Sequence, residues 1–182
     1  MESKGLEIEA KYRLRPGQRE AIETALLGYE HHRSVQDDQY YDVGERVLRL
    51  RQENGGWFLT YKDKPQVTPE GVKVRQEIET PLPETFAPEL DALILWLGHR
   101  HLTKVRKTRD IYHIDDITVT LDRVEGLPDD YAELELLGEE PDGPSRLAKL
   151  RERLGLTNGQ IELRSYARLV AEARGEGTHG RE

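Results

Sequence analysis

The sequence predicts an α+β fold: an antiparallel sheet of about eight strands closed into a barrel, with short helices packed outside it. Three observations carry this. Apolar and charged residues alternate with period two in segment after segment. The segments follow one another in hairpin order across turn signals. Between them lie Pro/Gly breaks and short apolar runs of helical length.

In order along the chain, residues 5–14 alternate Leu6, Ile8, Ala10 and Tyr12 with Glu7, Glu9, Lys11 and Arg13, which reads as a strand. Pro16-Gly17 breaks it, and 18–27 reads as a helix ended by Gly28. Residues 33–42 and 47–51 read as strands, and Asn54-Gly55-Gly56 as a hairpin turn into a strand over 57–63. Residues 65–71, with two prolines and a glycine, read as a loop before a strand over 72–80. Residues 88–97 form an apolar helical run closed by Gly98. Strands follow at about 104–114, 117–124 and 131–137, divided by Asp115-Asp116 and by Gly126-Leu127-Pro128. Ser145 is expected to cap a helix over 146–154, and a last helix runs over 165–173. Residues 1–174 are expected to form one domain and 175–182 a disordered tail.

The chain has 182 residues, enough for one domain with a real core, yet only 36% are hydrophobic and 34% are charged. With so lean a core, some of the charge has to sit inside the fold. The net charge of −8 argues against general nucleic-acid binding, which wants a basic surface. Without cysteine, disulfides, thiolate metal sites and cysteine nucleophiles are excluded. No apolar stretch approaches the roughly 18 residues of a membrane span. The polar N-terminus lacks a signal-peptide pattern, so a cytoplasmic protein is expected.

What alternates with the apolar residues is unusual. One strand face carries Glu7, Glu9 and Lys11; others carry Arg49 and Arg51, Lys62, then Arg75, Glu77 and Glu79. Later faces carry Lys107 and Arg109, Asp122, then Glu133 and Glu135. Two arrangements compete. In the commoner one the apolar faces form the core and the charges face water. In the other the barrel is inverted: apolar faces pack outward under helices, and charged faces line a tunnel. The helices favour the second, because Leu90, Leu93, Ile94 and Leu97 need an apolar surface to cover. Buried charges require partners. A polyanion together with a divalent metal would satisfy both signs, since arginine forks match phosphate oxygens and carboxylates take Mg2+ or Mn2+.

These segments resemble the CYTH superfamily, the triphosphate tunnel metalloenzymes, which include class IV adenylyl cyclases, thiamine triphosphatases and inorganic tripolyphosphatases. The Glu-x-Glu-x-Lys hallmark of that family is similar to Glu7, Glu9 and Lys11. In family order follow Gln39-Tyr40-Tyr41-Asp42, Leu48-Arg49-Leu50-Arg51, and a strand ending in Lys62. Next come Arg75-Gln76-Glu77-Ile78-Glu79, Lys107-Thr108-Arg109, Leu121-Asp122, and Ala132-Glu133-Leu134-Glu135. Ser165-Tyr166, preceded by Arg164, is similar to the start of the family's C-terminal helix. The resemblance spans about residues 5–170. One departure is the stretch Gly126-Leu127-Pro128, where the family has Gly-x-Gly.

The resemblance implies a closed eight-stranded barrel with a charged interior. It implies Glu7, Glu9, Glu133 and Glu135 as ligands of Mg2+ or Mn2+, with Asp122 helping. Glu77 and Glu79 would bind a second metal or orient the basic side chains. Phosphates would be held by Lys11, Arg49, Arg51, Lys62, Lys107 and Arg109, with Arg75 and Arg164. Tyr40 would pair with Lys11 to activate water, leaving Tyr41 to packing. Lys107 and Arg109 are preferred over Lys104 and Arg106, because they share parity with Ile111.

The expected function is a metal-dependent triphosphatase acting on tripolyphosphate or an organic triphosphate such as ATP or thiamine triphosphate. The alternatives are a class IV adenylyl cyclase, which makes cyclic AMP and pyrophosphate from ATP, and a non-catalytic polyphosphate- or nucleotide-binding module. Neither a nucleic-acid nor a membrane partner is expected, and a homodimer is left open. His31-His32 and His99-x-His101 lie near turns without a partner motif, and the charged 146–153 helix face reads as solvated. No P-loop, Rossmann glycine pattern or Ser-His-Asp arrangement occurs.

Overall fold

The computed structural model describes residues 3–138 and 142–175; the expected 175–182 tail therefore lies, beyond Gly175, outside the described residues. Among the described residues nine strands occur: β1 (Ser3–Arg13), β2 (Glu30–Tyr41), β3 (Val47–Glu53), β4 (Gly56–Lys62), β5 (Gln66–Val67), β6 (Lys73–Leu82), β7 (His101–Ile114), β8 (Ile117–Val124) and β9 (Asp130–Leu137). Four α-helices interrupt them: α1 (Gln18–Ala25), α2 (Ala87–Trp96), α3 (Gly143–Arg153) and α4 (Tyr166–Ala173). None is long and apolar enough to cross a membrane among the described residues.

Hydrogen bonding runs β1-β9-β8-β7-β2-β3-β4-β6 and returns to β1, closing an antiparallel eight-stranded barrel. The two-residue β5, inside the segment expected to be pure loop, adds only to the edge of β6. Two tight hairpins set register. Asn54 and Gly55 sit at φ 50° and 80°, as a type I′ turn requires, and pair Glu53 with Gly56. Asp115, at φ 54°, reverses β7 into β8.

The inverted arrangement is the one observed. Ile8, Ala10, Tyr12, Val119, Leu121, Leu134 and Leu136 face outward, yet they are almost fully buried because α1 (Ile22, Leu26) and α3 (Leu147, Leu150) cover them. Each buried Ile, Val or Leu among them stabilises the fold by roughly 1.5–3 kcal/mol. On the far side, Ile94 and Leu90 of α2 pack on Leu48, Leu50 and Leu59. Leu93 and Leu97, expected to cover the barrel with them, are instead largely exposed.

α4 does something different. Its Tyr166, Leu169 and Val170 pack on Tyr40, Val47, Val105, Val124 and Tyr131. Those five share strand parity with the inward charged residues, so α4 covers part of the barrel end where the lining turns apolar. Ser165 starts this helix by accepting a hydrogen bond from the Arg168 N–H at 3.2 Å. α3 departs from expectation: it begins at Gly143 with Asp142 as N-cap, and Ser145 lies within its first turn. Pro144, with φ preset for a helix, moves the start forward.

Candidate functional site

Closing the barrel brings the charged faces into cross-strand register. Glu7 lies opposite Arg75, Glu9 opposite Lys73, and Gly5 opposite Glu77. Lys11 lies opposite Glu133, and Glu9 also opposite Glu135. Arg109 faces Asp122, Asp38 faces Arg51, Tyr40 faces Arg49, and Lys62 faces Glu77. Opposite charges in directly opposed positions stabilise a sheet, whereas Glu9 beside Glu135 is a like-charge pair that needs a proton or a cation. Except for Glu7, Asp38 and Asp122, which are fully buried behind the lining, these side chains border one cavity of ≈ 1470 Å3, whose open end is rimmed by the β2–β3 turn, the loop before β6, the α2–β7 loop and the start of α4.

One wall is cationic around a single acid. Asp38, fully buried, accepts Arg51 Nε and Nη2 at 2.7 and 2.8 Å and Lys107 Nζ at 3.4 Å, and Arg49 Nη1 stands 3.7 Å away. Burial opposes the Asp38 charge, but Lys107, Arg51 and Arg49 hold its carboxyl well below the usual range. Three cations against Asp38, with Glu79 sharing only Arg49 at 3.6 Å, leave an excess of positive charge. Lys107 shows it: burial, only partly offset by Asp38 and aggravated by Arg51 and Arg109, brings its ammonium down to about 7. Arg49 also donates to the Tyr40 hydroxyl and to Thr60 Oγ1, both at 3.2 Å, and lies 3.6 Å from Glu79.

The opposite wall is acidic. Glu7, Glu77 and Glu135 each offer a carboxylate oxygen, all within 4.8 Å of one another. Lys62 Nζ sits among them, bonded to Glu7 and 3.2 Å from Glu77. Burial and then the neighbouring Glu7 push Glu135 up to about 8, with Lys62 opposing. Burial likewise raises Glu7 despite Lys62. Glu9 goes the other way: Lys73, Arg75 and Lys11 overcome its burial and hold it well below the usual value. Three carboxylate oxygens this close could converge on a hard cation, whose charge would offset the repulsion between them.

Of the expected metal ligands, therefore, Glu7, Glu77 and Glu135 converge. Glu9 is engaged by Lys73 at 3.4 Å and by Arg75 at 3.2 Å. Glu79 turns to Thr60 and Arg49, Asp122 takes a two-pronged hydrogen bond from Arg109 at 2.7 and 2.6 Å, and Glu133 bonds Arg109 and faces Lys11. The expected phosphate ligands Lys11, Arg49, Arg51, Lys62, Arg75, Lys107 and Arg109 all face inward, and Lys104 and Arg106 face solvent. Arg164 does not join them: its side chain is 42% exposed at the rim, and its guanidinium is taken by Glu162 at 2.6 Å and Glu172 at 2.7 Å. Only its carbonyl reaches inward, accepting Lys11 Nζ at 2.9 Å.

The expected Tyr40–Lys11 pair is also corrected. The Tyr40 hydroxyl meets Arg49 and Asp38. The ring over Lys11, 4.0 Å from Nζ, belongs to Tyr166, whose hydroxyl donates to Asp122 at 2.7 Å. Tyr41 packs outside, as expected, with its hydroxyl on Asp91. Sequence reasoning missed Asp38, Lys73 and Tyr166. The first two were visible by parity, two residues before Tyr40 and Arg75. His31 and His101 are engaged elsewhere: His31 bonds Asp110 at 3.0 Å and His101 bonds Asp91 at 2.7 Å.

Comparison with known proteins agrees with this geometry. A family model described as the CYTH domain matches residues 5–166. The chain is similar to a protein named adenylate cyclase CyaB from Aeromonas hydrophila, at 29% identity over 92% of this chain and 90% of the other. Among solved structures it is similar to PH1819 from Pyrococcus horikoshii OT3, at 31% identity and a TM-score of 0.76 over 91% of this chain and 98% of that one. It shares a fold with a Hippeastrum putative adenylyl cyclase described as having a dominant triphosphatase activity, at 20% identity and a TM-score of 0.67, over 93% and 96% of the two chains.

Proposed function

The chain belongs to the CYTH domain family, and from that premise we propose that it is a metal-dependent triphosphatase that hydrolyses tripolyphosphate or an organic triphosphate inside the barrel. The observation that carries this is the division of one cavity into a wall of excess cations around Asp38 and a wall where Glu7, Glu77 and Glu135 converge. A triphosphate needs both walls. Arg49, Arg51 and Lys107 take the phosphate oxygens, where buried, preorganised cations stabilise the charge of phosphoryl transfer. Lys11, fixed by the Arg164 carbonyl and the Tyr166 ring, orients the attacking water and the terminal phosphoryl. Arg109 is locked by Asp122 and Glu133, so it serves as a rigid spacer between the walls. Glu7, Glu77 and Glu135 would hold Mg2+ or Mn2+, which supplies charge neutralisation on the phosphate oxygens. Water oxygen bonds the terminal phosphorus, the bridging P–O bond breaks with its electron pair going to the shorter phosphate, which leaves, and the proton of the water passes to the released phosphates or to solvent.

The similarity to a protein named adenylate cyclase favours a second reading, in which the ribose 3′-hydroxyl of ATP attacks the α-phosphorus in the same cavity. Cyclisation needs a nucleoside seat in addition to the two walls, whereas hydrolysis needs only the walls. The assay gives purified protein Mg2+ or Mn2+ with tripolyphosphate, ATP or thiamine triphosphate and measures phosphate and cyclic AMP. Orthophosphate release without cyclic AMP is the expected result. Cyclic AMP plus pyrophosphate from ATP would replace hydrolase with cyclase, and no turnover of any substrate would leave a binding module.

A further inference from the structure

Lys62 stands apart from the other inward cations. It lies directly opposite Glu77 on the neighbouring strand, and its Nζ bonds Glu7 and stands 3.2 Å from Glu77. It is thus inserted among the same three carboxylates that converge as a candidate cation centre. Three carboxylates this close repel one another unless a positive charge lies between them. Arg75 cannot fill that place, because its planar fork is spread over Glu7 at 2.7 Å and Glu9 at 3.2 Å. Lysine can, because it is a compact charge on a flexible four-carbon stem.

We propose that Lys62 is a tethered counter-ion that occupies the divalent-cation centre of the metal-free protein and leaves it for an anionic phosphate when metal and triphosphate enter together. The proposal rests on the reading of Glu7, Glu77 and Glu135 as metal ligands. An ammonium and a divalent ion cannot share these oxygens, so Lys62 opposes metal in the absence of substrate. A triphosphate lying along the cationic wall offers Lys62 a second anion. The two ligands are then positively coupled, each raising the affinity of the other through one side chain. Before substrate arrives, the centre resists loading and the acids stay compensated.

The test is Mn2+ binding by calorimetry to the full chain without triphosphate, for the wild type, Lys62→Met, Lys62→Gln and Lys73→Met. Removing a unit charge this close raises Mn2+ affinity by about 10-fold or more in both Lys62 variants. Lys73→Met, whose ammonium serves Glu9 rather than the three acids, gains less than about 3-fold. Tripolyphosphate raises Mn2+ affinity more in the wild type than in either Lys62 variant. Equal or weaker Mn2+ binding by folded Lys62 variants overturns the proposal. In the wild type itself, the Lys62 Nζ resonance moves on saturation with Mg2+ and tripolyphosphate; an unmoved resonance overturns the proposal whatever the variants do. A wild type that binds no Mn2+ with or without tripolyphosphate overturns the metal reading itself, an outcome distinct from the others.

Discussion

Replacing Glu135 by Gln makes the metal-free protein more stable as the pH rises, even though the residue belongs to the site. Burial and Glu7 move its carboxyl from an ordinary value of 4.5 to about 8. The folded state therefore retains a proton that the unfolded chain gives up, and stability falls as pH climbs through that window. Between pH 5 and 8 the linkage amounts to roughly 3–4 kcal/mol, taken as a ceiling. For a chain of this size that corresponds to about 7–14 °C in melting temperature. Glutamine keeps the shape and removes the titration. The assay compares melting curves of wild type and Glu135→Gln in chelator from pH 5 to pH 9. Lys107 titrates in both proteins, so its opposite trend, a gain in stability as pH rises above about 7, cancels in the difference. The melting temperature of the variant minus that of the wild type should grow across pH 5–8 and level off above it. Saturating Mn2+ should then stabilise the wild type more than the variant. A difference that stays constant or shrinks with pH refutes the assignment of Glu135 to a buried, like-charged centre.

Other consequences follow from the same geometry. Asp38→Asn leaves Arg51, Lys107 and Arg49 buried without their shared acid and should cost about 3–5 kcal/mol in urea unfolding. Tripolyphosphate, by supplying the missing anion, should raise the melting temperature of that variant more than that of the wild type. Tripolyphosphate binding in chelator at pH 8 should take up a proton, because the Lys107 ammonium, at about 7 in the free protein, is restored beside phosphate. Calorimetry in buffers of different ionisation enthalpy reads this uptake, and Lys107→Met should abolish it. Tyr166→Phe, which loses the bond to Asp122 beside Lys11, should slow turnover by about 10-fold or more and exceed the effect of Tyr40→Phe. A larger effect at Tyr40 would restore the Tyr40–Lys11 pairing read from the sequence.

Much of the barrel was legible because period-two alternation survives packing whichever face turns inward. Parity, together with the Lys-Thr-Arg match to the family pattern, separated Lys107 and Arg109 from Lys104 and Arg106. It could also have found Asp38 and Lys73, which lie on strands already recognised. What parity cannot supply is register around a closed ring. That Gly5 pairs with Glu77 while Glu9 pairs with Glu135 decides which acids converge, and it depends on a long-range closure between β1 and β6. The packing of α4 on the barrel, also a long-range contact, puts Tyr166 against Lys11. Arg164 is paired at the rim for a local reason: Glu162, two residues earlier, holds its guanidinium there, with its own carboxyl lowered to about 2 by the Arg164 hydrogen bonds that outweigh its burial. The role of α4 was hidden because inward valines at 47, 105 and 124 look in sequence like ordinary core.

The claim on which the rest depends is that metal and triphosphate meet inside the barrel, between the acidic wall and the wall around Asp38. A crystal structure with Mn2+ and a non-hydrolysable triphosphate measures this directly, through the anomalous signal of manganese. The account predicts manganese bound by Glu7, Glu77 and Glu135, Lys62 moved off those acids, and phosphates on Arg49, Arg51 and Lys107. Manganese and triphosphate bound elsewhere, with these residues still paired only to one another, would contradict it.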